Sequence, residues 1–185
     1  MTSNIGKRMS REERREQILE SALKTFIEKG YNGSTTMDIA KKADISEVTL
    51  FRYFDSKKQI FMDAIEPILV SSLKESLVAS KDLETIEKLE YILKDRIKFI
   101  SKHHEVIKLI LMESQINPEI ADFNFINQIT LLLQDLIKEA GIDLKNEGIP
   151  LRLLMGSILS FLYLPEVNDE EINNYVEKLI NIIKK

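Results

Sequence analysis

Residues 44–61 read DISEVTLFRYFDSKKQIF. Ser46 stands where a helix N-cap belongs, and the spacing predicts a short helix over 47–54. At about 100° per residue, Leu50 and Phe54 fall on one arc with Glu47 and Phe51 beside them. Val48, Thr49 and Arg52 fall on the opposite arc, with Tyr53 at its edge. One side of this stub is an apolar anchor and the other presents small, polar and basic groups. Ser56-Lys57-Lys58-Gln59 has the pattern of a capping box and opens the next helix.

Upstream, Ser10-Arg11-Glu12-Glu13 is another capping box, and Ile18, Leu19, Ala22, Leu23, Phe26 and Ile27 recur at three- and four-residue steps. Lys29-Gly30 predicts the end of that helix, and Asn32-Gly33 a turn. Thr35-Thr36-Met37-Asp38 starts a second helix that runs to about Ala43. It breaks at Asp44, a residue type that tolerates left-handed backbone. The fourth helix continues through Pro67, where a bend is expected.

After about residue 80 the pattern lengthens into amphipathic helices over roughly 82–101, 104–115, 118–140, 150–164 and 169–184. Leu151 to Leu164 is apolar nearly all round. The expected fold class is all-α with about nine helices. Residues 10–66 are expected to form one small domain of short helices, with the stub at 47–54 as its third, and residues 67–185 a second domain of longer helices.

Bulk properties agree with a globular chain. It has 185 residues, 44% apolar and 30% charged, enough for a core. Cysteine is absent, which removes disulfides, thiolate metal sites and a cysteine nucleophile. No stretch approaches the roughly 18 apolar residues of a membrane span. Residues 1–17 run from polar into charge without an apolar run, unlike a signal peptide, so the expected location is the cytoplasm. The net charge of −4 conceals an asymmetry: residues 1–60 carry 12 Lys/Arg against 9 Asp/Glu, and the remainder carries 14 against 21. A few well-placed cations suffice to neutralise a few phosphates.

Two short helices joined by a tight turn, the second with a polar and basic face, fit a helix-turn-helix motif, whose second helix enters the DNA major groove. Arg52 can donate to guanine, Thr49 can meet a thymine methyl or a phosphate, and Tyr53 can bond a phosphate. The helix N-termini at Thr36 and Lys57 offer further phosphate sites. Spacing alone leaves a second reading open, a solvated face on an ordinary helical domain.

Residues 35–61, TTMDIAKKADISEVTLFRYFDSKKQIF, resemble the N-terminal domain of the tetracycline-repressor (TetR) family of transcriptional regulators. The resemblance is carried by the Thr35-Thr36 pair, Ile39-Ala40, Ser46, Thr49-Leu50-Phe51-x-Tyr53-Phe54, Ser56-Lys57-Lys58 and the preceding Phe26-x-x-x-Gly30-Tyr31. It implies an all-helical homodimer, usually a repressor, with residues 10–66 as the helix-turn-helix DNA-binding domain (recognition helix about 47–54) and residues 67–185 as the effector-binding and dimerisation domain. The expected mechanism is a dimer on a palindromic double-stranded operator, released by a small molecule. The resemblance further implies that Thr36, Thr49, Tyr53 and Lys57 take phosphates or groove edges, with Glu47, Val48 and Arg52 nearest the bases; Thr35, Ser46 and Phe51 complete the expected DNA-binding set. Asp44 departs from the glycine common in the family's turn, and Glu47 and Val48 from the small residues common there.

Beyond the motif, Tyr91, Phe99, Met112, Phe123, Phe125, Met155 and Phe161 are candidates to line a pocket for an apolar or aromatic effector. At helical spacing the same residues also fit plain core. Leu151, Leu154, Ile158, Leu162, Ile172, Val176, Leu179 and Ile183 are candidates for a dimer interface, built as a four-helix bundle with a second copy. His103-His104 invites a metal, but neighbouring residues on a helix diverge by about 100°, so the sequence predicts a partly exposed helix start instead. No catalytic set, phosphate loop or cofactor motif is present, so neither an enzyme nor a cofactor is expected. The competing function is a small-molecule-binding or scaffolding helical protein without DNA binding.

Overall fold

A computed structural model describes residues 9–68, 72–117, 120, 125–139, 141 and 148–184. Among them are ten helices and no strand. The chain divides into two compact units, Met1–Pro67 and Ile68–Lys185.

In the first unit α1 spans Arg11–Gly33, opened by a reciprocal capping box between Ser10 and Glu13. The expected stop at Lys29-Gly30 is a break rather than an end. Gly30 leaves helical space at φ 71°, ψ 171°, and one further turn follows. Glycine suits that conformation because a Cβ would be strained there. Helix α2 spans Thr36–Lys42, with Thr35 and Asp38 as its capping box. Asp44 takes φ 52°, as its side chain allows, and is the single non-glycine residue with positive φ among those described. Helix α3 spans Glu47–Leu50, and α4 spans Lys57–Glu66.

Helix α3 is shorter than the predicted 47–54. After Leu50 the ladder tightens: Arg52 and Tyr53 donate to the carbonyls three residues back, at 3.1 and 2.9 Å, and the chain turns. The anchors nevertheless behave as the wheel requires, since Leu50 and Phe54 are both fully buried. Helix α1 packs on α2 and α4, and α2 on α3. At the centre Phe61 meets Phe26 edge-on at 5.1 Å and Tyr31 at 5.2 Å. Buried aromatic pairs of this kind add about 0.5–1.5 kcal/mol beyond their area.

The second unit consists of α5 (Ser72–Ala79), α6 (Thr85–Lys102), α7 (His104–Ile116), α8 (Phe125–Glu139), α9 (Ile149–Ser160) and α10 (Asp169–Ile183). Helix α6 is its axis and touches all five others. Its face Leu89, Ile92, Leu93, Ile97 and Ile100 is buried, and each such side chain contributes about 1.5–3 kcal/mol.

The same core corrects the expected dimer surface. Leu154, Ile158, Leu162, Ile172, Val176, Leu179 and Ile183 are buried within the chain's own core, and Leu151 packs half-buried against it. Amphipathic helices turn their strongest apolar stripe inward first. The continuous helix expected over 150–164 instead ends at Ser160. Phe161 and Leu162 turn into the core, while Tyr163 and Leu164 stay exposed.

Candidate nucleic-acid interface

The interface candidate is built from two caps. Thr35 accepts the amide of Asp38 at 3.0 Å and starts α2, while Ser46 accepts the amide of Thr49 at 3.1 Å and starts α3. Ser46 Oγ also lies 2.8 Å from Thr49 Oγ1, fixing that hydroxyl. Thr36 donates its hydroxyl to Glu47 at 2.5 Å, which joins the start of α2 to the start of α3. Glu47, acidic at a position expected to meet bases, thus has its carboxylate engaged by a neighbouring hydroxyl.

What α3 presents outward is Val48, 69% exposed, followed by the exposed Phe51 and Arg52. Thr49 and Tyr53 are half-buried beside them. The predicted anchor face and presented face are therefore both in place. Phe51, next to the anchors on the wheel, turns outward (47% exposed) because the helix has already ended at Leu50.

Lys57 has a second task beside the one its charge suggests. Its Nζ donates to the carbonyls of Tyr31 at 2.8 Å and Ser34 at 3.1 Å and lies 4.3 Å from the Tyr31 ring centre. It thereby ties the start of α4 to the end of α1. Ser56 caps α4 through the amide of Gln59, but Gln59 accepts the amide of Asp55 at 2.7 Å, so the box closes one residue early. Arg11, not singled out in the sequence, holds its guanidinium 5.9 Å from the Tyr53 ring centre, and it stays exposed. Its signal in the sequence is the basic set Lys7, Arg8 and Arg11 around the start of α1.

Asp38 accepts from Lys29 at 2.6 Å and from the Thr35 hydroxyl and amide. The Lys29 bond, then those to Thr35, hold its carboxyl down at about 2. Lys29 therefore already has a partner and is not a spare cation for a phosphate.

The expected effector residues do not converge. Phe99 borders an apolar cleft in the second unit together with Ile92, Ile100, Ile107, Ile129 and Ile158. Phe161 is buried edge-on against Tyr175 at 5.2 Å, and Met155 packs half-buried on the core. Tyr91 is exposed at a polar groove, and Met112 is 66% exposed on α7, so neither borders the cleft. Phe123 and the side chain of Phe125 lie outside the described residues. Sequence reasoning missed Arg96, which lines both cleft and groove. Its signal was a charged residue at core spacing within Leu89, Ile92, Leu93, Arg96, Ile97 and Ile100.

His103 closes α6 and starts α7, with its ring 4.5 Å from that of Phe99. Burial, then Lys102, lowers its pKa. Among the described residues no group of three metal-ligating side chains exists, and no helix is long and apolar enough to cross a membrane.

Comparison with known proteins agrees with this arrangement. Residues 18–64 match the family model of bacterial regulatory proteins, tetR family. Over 52 residues the chain is 40% identical to the biofilm operon icaADBC HTH-type negative transcriptional regulator IcaR of Staphylococcus aureus, a match covering 28% of each chain. Over 80 residues it is 31% identical to the HTH-type transcriptional activator FasR of Mycolicibacterium smegmatis, covering 42% of this chain and 36% of FasR. The chain thus matches between 28% and 36% of the length of these curated relatives. Among solved structures, a candidate fatty acid metabolism regulator of Clostridium perfringens superposes with a TM-score of 0.71 at 27% identity, over 90% of this chain and 96% of that one. AibR, in complex with isovaleryl coenzyme A and operator DNA, superposes with a TM-score of 0.72 at 17% identity, over 92% and 98%. Residues 18–64 thus carry the segment that marks bacterial regulatory proteins of the tetR family, on a fold the chain shares with such solved structures along most of its length.

Proposed function

We propose that this protein is a ligand-responsive transcriptional regulator that binds a palindromic DNA operator as a homodimer, represses from it, and is released by a small molecule. The observation that carries this reading is the short α3, anchored by Leu50 and Phe54 with Val48, Phe51 and Arg52 outward, inside the segment that matches the family. Residues 10–66 take the DNA and residues 67–185 take effector and partner copy. Arg52 and Val48 read bases. Thr35, Thr36, Ser46, Thr49, Tyr53 and Arg11 set the register on phosphates, and Lys57 supports them by tying α4 to α1. Repression rather than activation follows IcaR, a negative regulator at 40% identity, against 31% for the activator FasR. A protein acting on bacterial DNA works in the cytoplasm.

The partner copy meets what α9 and α10 leave outside. Ile149, Leu153, Gly156 and Ser160 are exposed at helical spacing along α9, and Ile182 is exposed on α10. Space at Gly156 is open, so a second helix can approach the backbone closely there. Effector binding favours a conformer in which the two recognition helices no longer match the operator, and the release is limited by the affinity difference between conformers.

Binding of fluorescent duplex DNA across a salt series tests the reading. The account predicts an affinity that falls with salt, with a slope of roughly −0.9 for each phosphate neutralised. A protein that ignores duplex DNA at low salt would instead fit the scaffolding alternative.

A further inference from the structure

Arg96 is 9% exposed, on a face of α6 otherwise made of leucine and isoleucine. A cation there needs a reason, because burial of a charge is costly without partners. Its hydrogen-bond partners among the described residues are Asp95 and Ser72. Nε and Nη2 donate to Asp95, Nη1 donates to Ser72 Oγ at 3.2 Å, and Nη2 donates to the Ser72 carbonyl at 2.9 Å. The second Nη1 hydrogen has no acceptor among the described residues. Asp95 itself is more than a third exposed, so the counter-charge sits toward water while the guanidinium sits inward.

Two spaces meet at this side chain. On one side lies the cleft of Ile92, Ile100, Ile107, Ile129 and Ile158, where Arg96 is the one charged group among the described lining residues. On the other lies an open groove of about 450 Å³ bordered by Glu75, Asp95, Lys98, Lys102 and His103. Phe99 borders both, and the guanidinium lies 4.9 Å from its ring centre. Arg96 and Phe99 thus stand between a charged groove and an apolar cleft.

We propose that the effector is an amphiphilic anion whose carboxylate or phosphate head pairs with Arg96 while its aliphatic chain enters the cleft between α6, α7 and α8. This inference rests on the regulator reading and names the ligand class for it. Arginine's planar fork suits such heads, and the surrounding isoleucines suit a methylene chain. His103 carries little positive charge at neutral pH, because burial and Lys102 hold its pKa low. The head is therefore matched by Arg96 with Lys98 and Lys102 at the mouth. The cleft as it stands has only about 20 Å³ of room, on the order of one water, so an entering chain must part α8 from α6. That parting is the conformational difference a ligand can stabilise.

The test is calorimetric titration of the full chain with decanoate, decyl phosphate and 1-decanol, then of Arg96→Gln with the same three. The expected result is at least one acid binding tenfold or more tightly than the alcohol. Arg96→Gln should reduce that acid's affinity about tenfold and leave the alcohol unchanged. The tighter of the two acids identifies the head. Equal binding of acid and alcohol, no binding of any probe, or an Arg96→Gln protein that takes the acid as before would each overturn the proposal. The acid–alcohol comparison needs no variant, so it decides the matter even where Arg96→Gln does not fold. DNA binding without ligand is measured alongside. Its absence in the unaltered protein counts against the regulator reading, and ligand titration is read independently of it.

Discussion

Arg52 and Lys57 are five residues apart and both basic, yet their surroundings assign them different work. Arg52 is exposed and free to reach a base edge, whereas Lys57 spans two backbone carbonyls and a tyrosine ring. Arg52→Ala is expected to cost roughly 1–3 kcal/mol of operator affinity and to relax specificity at one base pair. Being an exposed position, it should change folding stability by less than about 0.5 kcal/mol. Lys57→Ala should destabilise the first unit by about 1–3 kcal/mol, as hydrogen bonds from a charged donor are lost. Thermal melts and competition against operator variants separate the two, and equal melts would return Lys57 to a purely phosphate-facing role.

At the scale of elements, α2 depends on its reciprocal cap. Thr35→Ala should cost about 1 kcal/mol, since Thr35 satisfies the amide of Asp38 and offers that carboxylate its hydroxyl. Asp38 gives the same cap a pH dependence. Its folded pKa is depressed from 3.8 to about 2, so its contribution is present above the unfolded value and is lost as pH falls through that interval. An acid titration of α2 amides by NMR should show the loss in that window, and Asp38→Asn should abolish it.

Elements were also where sequence was most and least legible. The caps at Ser10, Thr35 and Ser46 could be read because a side chain bonding three residues ahead leaves a fixed pattern. Leu50 and Phe54 could be read because their spacing survives the tightening of the chain after Leu50. The end of α3 could not, since the i→i−3 bonds that stop it carry no residue signature. Nor could the second unit's surface. An apolar stripe such as Ile172, Val176, Leu179 and Ile183 has the same period whether it meets its own core or another copy, and here its own core took it.

For the whole molecule, the proposed dimer has to hold two recognition helices at one separation, and the apolar exposed face of α9 is the surface proposed to do so. Leu153→Glu replaces an exposed leucine, so it should fold as before yet sediment as a monomer and lose most operator affinity. A Leu153→Glu protein that remains a dimer would move the interface elsewhere.

The central claim concerns DNA, and selection of bound sequences from a pool of random duplexes tests it most directly. The account predicts enrichment of an inverted repeat whose half-site centres lie about one helical turn apart, or a multiple of it, with each half-site altered by Arg52→Ala at a single position. Recovery of no common sequence, or of one unaffected by both Arg52→Ala and Val48→Ala, would contradict it.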